Sequence, residues 1–435
     1  MSLFGTDGIR GKVGERVTGD VAYRLGNALS RRADGGKIVV GRDTRDSGAM
    51  LMQYLSKGIL DGGAIMVDLG IVPTPLVSYA VREAGAEYGV AITASHNDAS
   101  YNGLKVFSAL GGKADSETEN GIEEDMTSRL FVAKSQGKCI SGECYVCHYK
   151  NMLKERFSDI SGLKVVFDMA NGALSKVGRD VVKGVLLSSR CINSEGKGAL
   201  INRGTGALYP EAVTMELDGA DVGFAFDGDG DRIVAVTASG RVVNGDLILY
   251  CIARYLKRHN ALDGNVVVGT PYTNMGVVQA LARSGITLVR SEVGDSNVER
   301  KMRRIGAKVG AERAGHVILA DYLPTGDALY IALYLLRIMV ETGASLDELT
   351  SVQEYPMVSR DMVTNRAQDI ASDDMLVDIV KEYNRHLGND GRVLLRASGT
   401  EPKLRLMVEC VDVERANSIV SHIVEHISSR FDITP

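Results

Sequence analysis

Three stretches of this chain follow one plan, and this threefold repeat constrains the fold more than any other feature of the sequence. Each stretch opens on an apolar run rich in β-branched residues, followed by turn residues and a helix-like segment. The runs begin at Lys37, Lys164 and Asn265. Later in each stretch comes a Gly-Ala-x-x-Gly string, beginning at Gly85, Gly219 and Gly306. Such internal repeats indicate three related supersecondary units, and alternating β runs and helices favour α/β layers with mixed or parallel sheets.

The repeat also relates three polar positions. Ten residues after the first glycine of each string stand Ser95, Asp229 and His316. Because α/β folds bind ligands at loops that follow the carboxyl ends of strands, we expect each unit to present one polar loop at the same structural place. Chance remains the competing explanation, since Gly-Ala is a common dipeptide.

Two helices and a different C-terminal pattern complete the expected elements. Apolar spacing predicts a helix at 19–29 with Asp20 as its capping residue, and a buried helix at 327–339. From about Tyr355 the order becomes strand, helix, strand, strand and helix, which is typical of a small α+β domain.

Bulk composition narrows the function classes. A net charge of −5 leaves no electrostatic footprint for nucleic-acid binding. No apolar run reaches the roughly 18–20 residues that span a bilayer, and the N-terminal residues lack the pattern of a secretory signal. We therefore expect no nucleic-acid partner, no membrane association, a cytoplasmic location and mostly reduced cysteines.

One cysteine cluster needs its own interpretation. Cys139, Cys144 and Cys147 are followed by His148, so the segment formally matches a haem-attachment or zinc pattern. Short matches of this kind are often accidental. We favour reduced thiols on or near a domain junction.

The loop around Ser95 combines small and polar residues after an apolar strand-like run. Ser95 is followed by His96 and Asn97. It lacks the Gly-x-Ser-x-Gly elbow of an acyl-transfer nucleophile. A phosphoryl carrier, a phosphate-binding serine and an ordinary turn serine remain open.

A second loop carries Asp227, Asp229 and Asp231, followed by Arg232. Alternate residues of an extended loop point the same way, so three carboxylates can converge on one hard cation. The sequence does not continue as an EF-hand loop. An acidic surface turn is the alternative, but three mutually repelling anions favour a metal, and oxygen ligands favour Mg²⁺. The adjacent Arg232 can hold a phosphate oxygen.

Three further segments offer polar groups. The segment 396–405 combines arginines, hydroxyls and a glycine, an inventory that suits phosphate binding. Glu312 and His316 share one loop and can read sugar hydroxyls or move a proton. Arg10, between glycines near the N-terminus, can reach a phosphate. Each of these alone also fits an ordinary surface loop.

Taken together and in this order, these strings resemble the α-D-phosphohexomutase family over essentially the whole chain. The resemblance implies an α/β fold: three related mixed α/β domains around a central cleft, plus a smaller α+β C-terminal domain. The implied domains are 1–150 with a phosphoserine loop, 151–250 with a metal-binding loop, 251–355 with a sugar-binding loop and 356–435 with a phosphate-binding loop.

The resemblance also implies roles for individual residues. Ser95 carries the phosphoryl group and, with the three aspartates, completes the ligand set of one Mg²⁺. Lys105 is the leading acid/base candidate, because a lysine near cations and a metal can have a lowered pKa. The residues near the reacting groups are Arg10, His96, Lys105, Arg232 and His316. The implied substrate-binding residues are Glu312, His316, Arg396, Ser398, Gly399, Thr400 and Arg405.

The implied reaction moves a phosphoryl group between O6 and O1 of a hexose through phosphorylated Ser95 and a bisphosphorylated hexose. Several strings, among them 168–173 and 325–327, resemble phosphoglucosamine mutases, so glucosamine phosphate is the expected substrate. Tyr101-Asn-Gly103 instead resembles the phosphomannomutase/phosphoglucomutase branch. Asp98 and Ala314 depart from the family pattern, which leaves a non-catalytic phosphosugar binder as a third reading. The homologues include monomers and homodimers.

Overall fold

We describe the fold from a computed structural model. It describes residues 3–5, 7–128, 130–133, 135–398 and 402–431. The chain divides into two compact units. Unit 1 comprises Met1–Tyr272 and Leu288–Ser351, and unit 2 comprises Thr273–Thr287 and Val352–Pro435. No helix within the described ranges is long and apolar enough to cross a membrane.

The described strands form four sheets. The first is ordered β1-β5-β4-β2-β3-β6, the second β11-β10-β9-β7-β8, the third β13-β12-β14-β15 and the fourth β16-β18-β17. In chain order the strands are β1 Ile9–Lys12, β2 Lys37–Arg42, β3 Ile65–Ile71, β4 Tyr88–Ile92, β5 Tyr101–Ser108, β6 Lys138–Ser141, β7 Val165–Asp168, β8 Ser189–Ile192, β9 Val222–Phe226, β10 Ile233–Thr237, β11 Val242–Val243, β12 Val266–Gly269, β13 Thr287–Arg290, β14 Val309–Ala311, β15 Val317–Leu319, β16 Met357–Val363, β17 Gly391–Ala397 and β18 Lys403–Cys410.

The described helices pack beside these sheets. They are α1 Gly19–Ala33, α2 Ser47–Asp61, α3 Thr74–Ala84, α4 Ser116–Thr127, α5 Glu143–Arg156, α6 Leu174–Val185, α7 Glu211–Thr214, α8 Gly245–Arg258, α9 Met275–Arg283, α10 Asp295–Ile305, α11 Ala328–Thr342, α12 Leu346–Leu349, α13 Ala367–Ala371, α14 Asp374–Leu387 and α15 Val413–Phe431.

The threefold repeat is present in the topology of the sheets. In each of the first three sheets, a first strand pairs in parallel with a second, which pairs antiparallel with the strand that follows it. The three sets are β2-β4-β5, β7-β9-β10 and β12-β14-β15. The loop between the second and third strand of each set contains Ser95, Asp229 and His316, respectively. The equivalence predicted from the glycine strings is therefore confirmed.

The glycines that mark the repeat have a common backbone conformation. Gly85, Gly219 and Gly306 have φ values of 57°, 70° and 68°. This left-handed region favours glycine because a Cβ atom is disfavoured there. Gly85 and Gly306 terminate α3 and α10, so the repeated glycine turns the chain from a helix into the next strand.

The two helices predicted in detail are present, with one correction. α11 contains ten buried residues and is capped by Asp327, as a buried helix requires. α1 begins at Gly19, but the Thr18 hydroxyl, and not Asp20, accepts the hydrogen bond from the Val21 amide. Asp20 lies instead in the first turn, where its charge favours the helix dipole.

Unit 2 has the predicted α+β pattern. Its antiparallel sheet β16-β18-β17 packs with α13, α14 and α15 around one apolar core. Buried Arg392 donates to Glu409 at 2.7 Å and to the Thr273 carbonyl at 2.7 Å, and Glu409 accepts from the Met275 amide. Residues 273–287 therefore belong structurally with the C-terminal residues. The domain boundaries at 150, 250 and 355 stay a prediction.

Candidate active site

The Ser95 loop lies between β4 and β5, and hydrogen bonds to neighbouring residues hold it in place. Ser95 is fully buried and has a φ of 51°, a strained conformation for a residue with a Cβ atom. Its carbonyl accepts hydrogen bonds from Arg45 Nη2 at 3.0 Å and Asn202 Nδ2 at 2.8 Å. Its amide donates to the Thr93 hydroxyl at 2.9 Å. These hydrogen bonds to Arg45, Asn202 and Thr93 therefore hold Ser95 in its strained backbone conformation.

Arg45 is the main support of this loop. Its side chain is fully buried beside Asp43, with Nε and Oδ2 2.9 Å apart. The guanidinium donates to the carbonyls of Ser95, Asn97, Asp98 and Tyr101. A planar group with five donors suits this role, because a single point charge cannot reach several carbonyls at once.

The Ser95 hydroxyl faces the acidic loop between β9 and β10. Ser95 Oγ donates to Asp227 Oδ2 at 2.7 Å, and His96 Nδ1 lies 3.3 Å from the same hydroxyl. The other Asp227 oxygen accepts three backbone amides of its own loop, each at 3.1 Å. The serine and the first aspartate are 132 residues apart in sequence, and the fold brings them into contact.

The three aspartates form one buried group. Asp227, Asp229 and Asp231 are each at most 2% exposed, and each offers an oxygen within 4.8 Å of the others. Asp229 Oδ1 and Asp231 Oδ1 are buried without a hydrogen-bond partner among the described residues. Burial, with the adjacent charges of Asp229 and Asp231, raises the pKa of Asp227 well above its usual range. Oxygen ligands, unused lone pairs and mutual repulsion all fit a divalent cation such as Mg²⁺.

Lys105 lies against this group from β5. Its Nζ is 2.8 Å from Asp229 Oδ2, 3.1 Å from Asp231 Oδ2 and 3.3 Å from Asp7 Oδ2. Burial acts to lower the pKa of Lys105, but the carboxylates outweigh it and raise that pKa well above 10.5. The protein's own charges therefore shift this pKa in the direction opposite to the expected one, because the nearest groups are anions, and a lowered pKa beside a metal stays a prediction.

His96 and Arg232 contact each other beside the serine. Arg232 Nη1 lies 2.9 Å from His96 Nδ1. Because arginine only donates, His96 Nδ1 accepts and the imidazole is neutral. Burial, then the charges of Arg232 and Arg10, lower the pKa of His96 to about 4. Arg10, on β1, has its own guanidinium 3.4 Å from Asp7.

The third loop, between β14 and β15, joins the acidic loop through its backbone. The Ile233 amide donates to the Gly315 carbonyl at 3.0 Å. His316 is buried; its Nε2 accepts from the Gly326 amide at 2.9 Å, and its Nδ1 faces Asp231 Oδ1 at 3.7 Å. Glu312 accepts from the Gly294 amide, and burial raises the pKa of Glu312.

A cavity of about 330 Å³ opens beside these groups, lined in part by Lys105 and His316. Lys113 lines it too and bridges Asp7 and Asp295. No role was predicted from the sequence for Asp7, Lys113 or Asp295, or for Arg45. No local signal in the sequence showed that Lys113 would join Asp7 and Asp295.

The described residues of the segment 396–405 lie at the end of β17 and the start of β18 in unit 2. The β17–β18 register places Arg396 opposite Arg405, and the Ser398 amide donates to the Lys403 carbonyl at 2.8 Å. The two arginines therefore lie on the same face of the sheet, and Arg405 Nε lies 3.8 Å from Asp361 Oδ2. Gly399 and Thr400 lie outside the described residues.

Asp98 and Ala314, which depart from the family pattern, are both exposed. The cysteine cluster is exposed or half-buried. Exposed Asp98 accepts from the amide and hydroxyl of Ser100. Ala314 is exposed on the third loop. Cys139 and Cys144 are exposed and Cys147 is half-buried, all as free thiols. In the part of the chain that the structure describes, the side-chain groups that could hold a metal are acidic, with His316 in one of them, and include no cysteine.

Comparison with known proteins connects this geometry to a family. Four phosphoglucomutase/phosphomannomutase models match the chain in order. They describe alpha/beta/alpha domain I at residues 1–133, domain II at 143–240, domain III at 244–355 and the C-terminal domain at 360–426. The chain belongs to the phosphoglucomutase/phosphomannomutase family. It is therefore a phosphohexomutase, an isomerase of hexose phosphates.

Full-length relatives agree with this assignment. The chain is 37% identical to a phosphoglucosamine mutase of Desulforamulus reducens and 38% identical to one of Clostridium tetani. Each comparison covers 98% of this chain and 99% of the relative. A crystal structure of a phosphoglucomutase/phosphomannomutase family protein from Burkholderia thailandensis has the same fold, with a TM-score of 0.83 at 24% identity over 99% of this chain and 98% of that one.

Proposed function

We propose that this phosphohexomutase converts glucosamine 6-phosphate into glucosamine 1-phosphate with Ser95 as its phosphoryl carrier. The observation that carries the proposal is the buried contact of 2.7 Å between Ser95 Oγ and Asp227, within a group of three converging carboxylates. The names of the full-length relatives support the amino sugar as the substrate.

The proposed reaction transfers one phosphoryl group in each of two steps. In the first, the P–Oγ bond of phosphorylated Ser95 breaks, a P–O bond forms to the O1 hydroxyl of the sugar 6-phosphate, and the hydroxyl proton leaves to a base. In the second, the phosphoryl group on O6 of the bisphosphorylated hexose returns to Ser95 Oγ, and O6 takes up a proton. A buried site protects the phosphoserine from water.

We infer the roles of the surrounding residues from their positions in the site. We assign the proton transfer to Lys105, which lies against Asp229 and Asp231, because a cation held by these carboxylates would offset the charges that raise the pKa of Lys105. Arg10, Arg232 and His96 stabilise the transferring phosphoryl group by donating to its oxygens or by positioning those donors. His316 and Glu312 form hydrogen bonds with the hydroxyl groups of the sugar. Ser95 and the three aspartates would hold Mg²⁺, which would supply electrostatic stabilisation of the transferring group.

We further assign binding of a phosphate group to the segment 396–405 of unit 2. The residues are Arg396, Ser398, Gly399, Thr400 and Arg405. Support comes from the paired register of the two arginines and from the match of residues 360–426 to the C-terminal domain of the family. A cytoplasmic location and a monomeric or homodimeric state remain predictions.

The substrate is tested by turnover with Mg²⁺ and a bisphosphorylated hexose activator. Glucosamine 6-phosphate, mannose 1-phosphate and glucose 1-phosphate are compared at equal concentration. We expect the highest kcat/KM with glucosamine 6-phosphate. Preference for mannose or glucose phosphate, the reading that Tyr101-Asn-Gly103 favours, would replace the amino sugar. Absence of turnover on all three with Ser95 phosphorylated would favour a phosphosugar binder.

The phosphoryl carrier is tested by Ser95→Ala. Mass spectrometry after incubation with the bisphosphorylated activator should show one phosphate on the parent chain and none on the variant, and mutase turnover should be lost. Ser100→Ala, an exposed serine of the same loop, serves as the control and should retain both. Full turnover by Ser95→Ala would reject the phosphoserine mechanism.

A further inference from the structure

A second cavity, of about 360 Å³, lies in unit 1 and shares no lining residue with the cavity beside Lys105 and His316. Its lining includes one side of α6, from Ser175 to Lys183, and the segment 194–196. α6 begins at Leu174 and has 12 residues. The positive end of the dipole of such a helix lies at its first turn.

Three cations line this cavity along one face of α6. Lys176, Arg179 and Lys183 are spaced by three and four residues, which places them on the same side of the helix. None of them forms an ion pair within the described residues. The two acids of the lining are engaged elsewhere, since Asp180 pairs with Lys150 and Glu195 with Lys197. With three cations and two acids, the lining carries a net positive charge.

Ser175 provides an independent sign of a ligand. It is 6% exposed and lines the cavity from the first turn of α6. Its Oγ is buried without a hydrogen-bond partner among the described residues. Because buried hydroxyls normally have partners, an unpaired one in a cationic cavity indicates a missing acceptor. Arg179 is half-buried, and its Nη1 donates to the Ser194 carbonyl at 3.3 Å, which keeps the guanidinium near Ser175.

We propose that this cavity is a second anion site, which binds the phosphate group of a small molecule away from the catalytic centre. Phosphate oxygens accept from the Ser175 hydroxyl, the guanidinium of Arg179 and the ammonium of Lys176. Gly196 lies beside Ser175 and Thr44 in the lining: a Cβ atom there would be in van der Waals contact, 3.5 Å from Ser175 Cβ and 3.6 Å from Thr44 Cγ2.

The surroundings of the site connect it to both catalytic loops. Thr44, which lines the cavity, immediately precedes Arg45, the support of the Ser95 loop. On the other side, Leu174 at the start of α6 packs on the acidic loop, since a Cβ atom at Gly230 would lie 2.9 Å from Leu174 Cδ1. An anion bound here contacts the elements that hold Ser95 and the three aspartates.

The test is calorimetric titration of inorganic phosphate into the full-length protein with Mg²⁺ and saturating glucose 1,6-bisphosphate, which occupies the catalytic site. We expect one phosphate per chain. Lys176→Gln/Arg179→Gln should weaken its Kd about tenfold or more, and Ser175→Ala should weaken it several-fold. The control Lys138→Gln/Arg258→Gln removes the same charge from exposed positions elsewhere and should leave the Kd unchanged.

A parallel titration with glucose 6-phosphate under the same conditions distinguishes the source of the phosphate. Tighter binding than inorganic phosphate identifies a phosphorylated metabolite, whereas tighter binding of the free ion identifies inorganic phosphate. Binding of neither ligand by the parent protein overturns the proposal. So does an equal loss in the control variant, which would reduce the effect to general electrostatic attraction.

Discussion

At the scale of single residues, the chemistry of this protein depends on buried charges that meet from distant parts of the chain. Ser95, Lys105 and the three aspartates are each at most 2% exposed. Buried charges are costly unless paired, so each has a partner or a ligand to bind. The residues that hold them in place are as constrained as the reacting ones.

Arg45→Lys should separate support of the Ser95 loop from the chemistry itself. A lysine keeps the charge beside Asp43 but cannot donate to several loop carbonyls at once. We expect kcat to fall at least tenfold and the free energy of unfolding to fall by about 1–3 kcal/mol. Steady-state kinetics and urea unfolding measure both. Arg31→Lys, at a half-exposed ion pair with Asp125, should change neither by more than about 0.5 kcal/mol. A variant with unchanged kcat would show that the loop holds its shape without Arg45.

Glu119, on α4 beside the first cavity, should make stability depend on pH. Burial raises its pKa to about 7. A carboxyl with a raised folded pKa favours the folded state at low pH, and this contribution is lost as pH rises through about 7. Glu119→Gln should therefore gain stability relative to the parent between about pH 5 and pH 8, by about 1 kcal/mol after allowance for solvent screening.

Urea unfolding at the two pH values measures this difference for Glu119→Gln. Glu117→Gln, at an exposed position of the same helix, removes the same charge and should show no such trend. If the free energy of unfolding of the parent rose relative to that of Glu119→Gln at high pH, burial would not be the main influence on the pKa of Glu119.

At the scale of elements, the helices α1 and α2 pack with their backbones in close contact, with no side chain between them at two positions. A Cβ atom on Gly58 of α2 would lie 2.0 Å from the Tyr23 carbonyl oxygen of α1, and one on Gly26 would lie 2.3 Å from the Leu55 carbonyl oxygen. Neither distance is possible for real atoms. α1 and α2 can therefore cross at this spacing only because both contact positions are glycine.

Gly58→Ala should lower the free energy of unfolding by about 1–3 kcal/mol, although alanine normally stabilises a helix interior by about 1 kcal/mol. Thermal and urea unfolding measure the change. Gly121→Ala on α4 is the matched control, because its Cβ would meet only the end of the Arg32 side chain, which can move. A stabilised Gly58→Ala would mean that the two helices can separate at little cost.

At the scale of the whole molecule, the acidic loop should couple metal binding to stability. We expect Mg²⁺ at a hundredfold excess over its Kd to raise the free energy of unfolding by about 2–3 kcal/mol. Asp229→Asn should remove most of this gain, whereas Asp20→Asn, at an exposed position of α1, should retain it. Urea unfolding with and without Mg²⁺ measures the difference. An undiminished gain in Asp229→Asn would place the metal elsewhere.

Much of this architecture follows from short-range patterns. The glycine strings predicted three equivalent loops because a left-handed turn, a short buried strand and a polar loop are specified by adjacent residues. The α11 helix was predictable for the same reason, since apolar spacing and its cap lie within one segment. The cap of α1 was assigned to Asp20 instead of Thr18 because both residue types cap helices, and only geometry distinguishes them.

The sequence by itself determined the order of the elements, the repeat and the residue types of the three loops, because these depend on neighbours along the chain. Only the tertiary structure decided which side chains meet. Lys105 lies 124 residues from Asp229 yet contacts it at 2.8 Å, and the carboxylates around Lys105 raise its pKa. The support of Ser95 by Arg45 and the unpaired hydroxyl of Ser175 were decided in the same way. Electrostatic energies depend on distance and burial in space, and no local pattern encodes either.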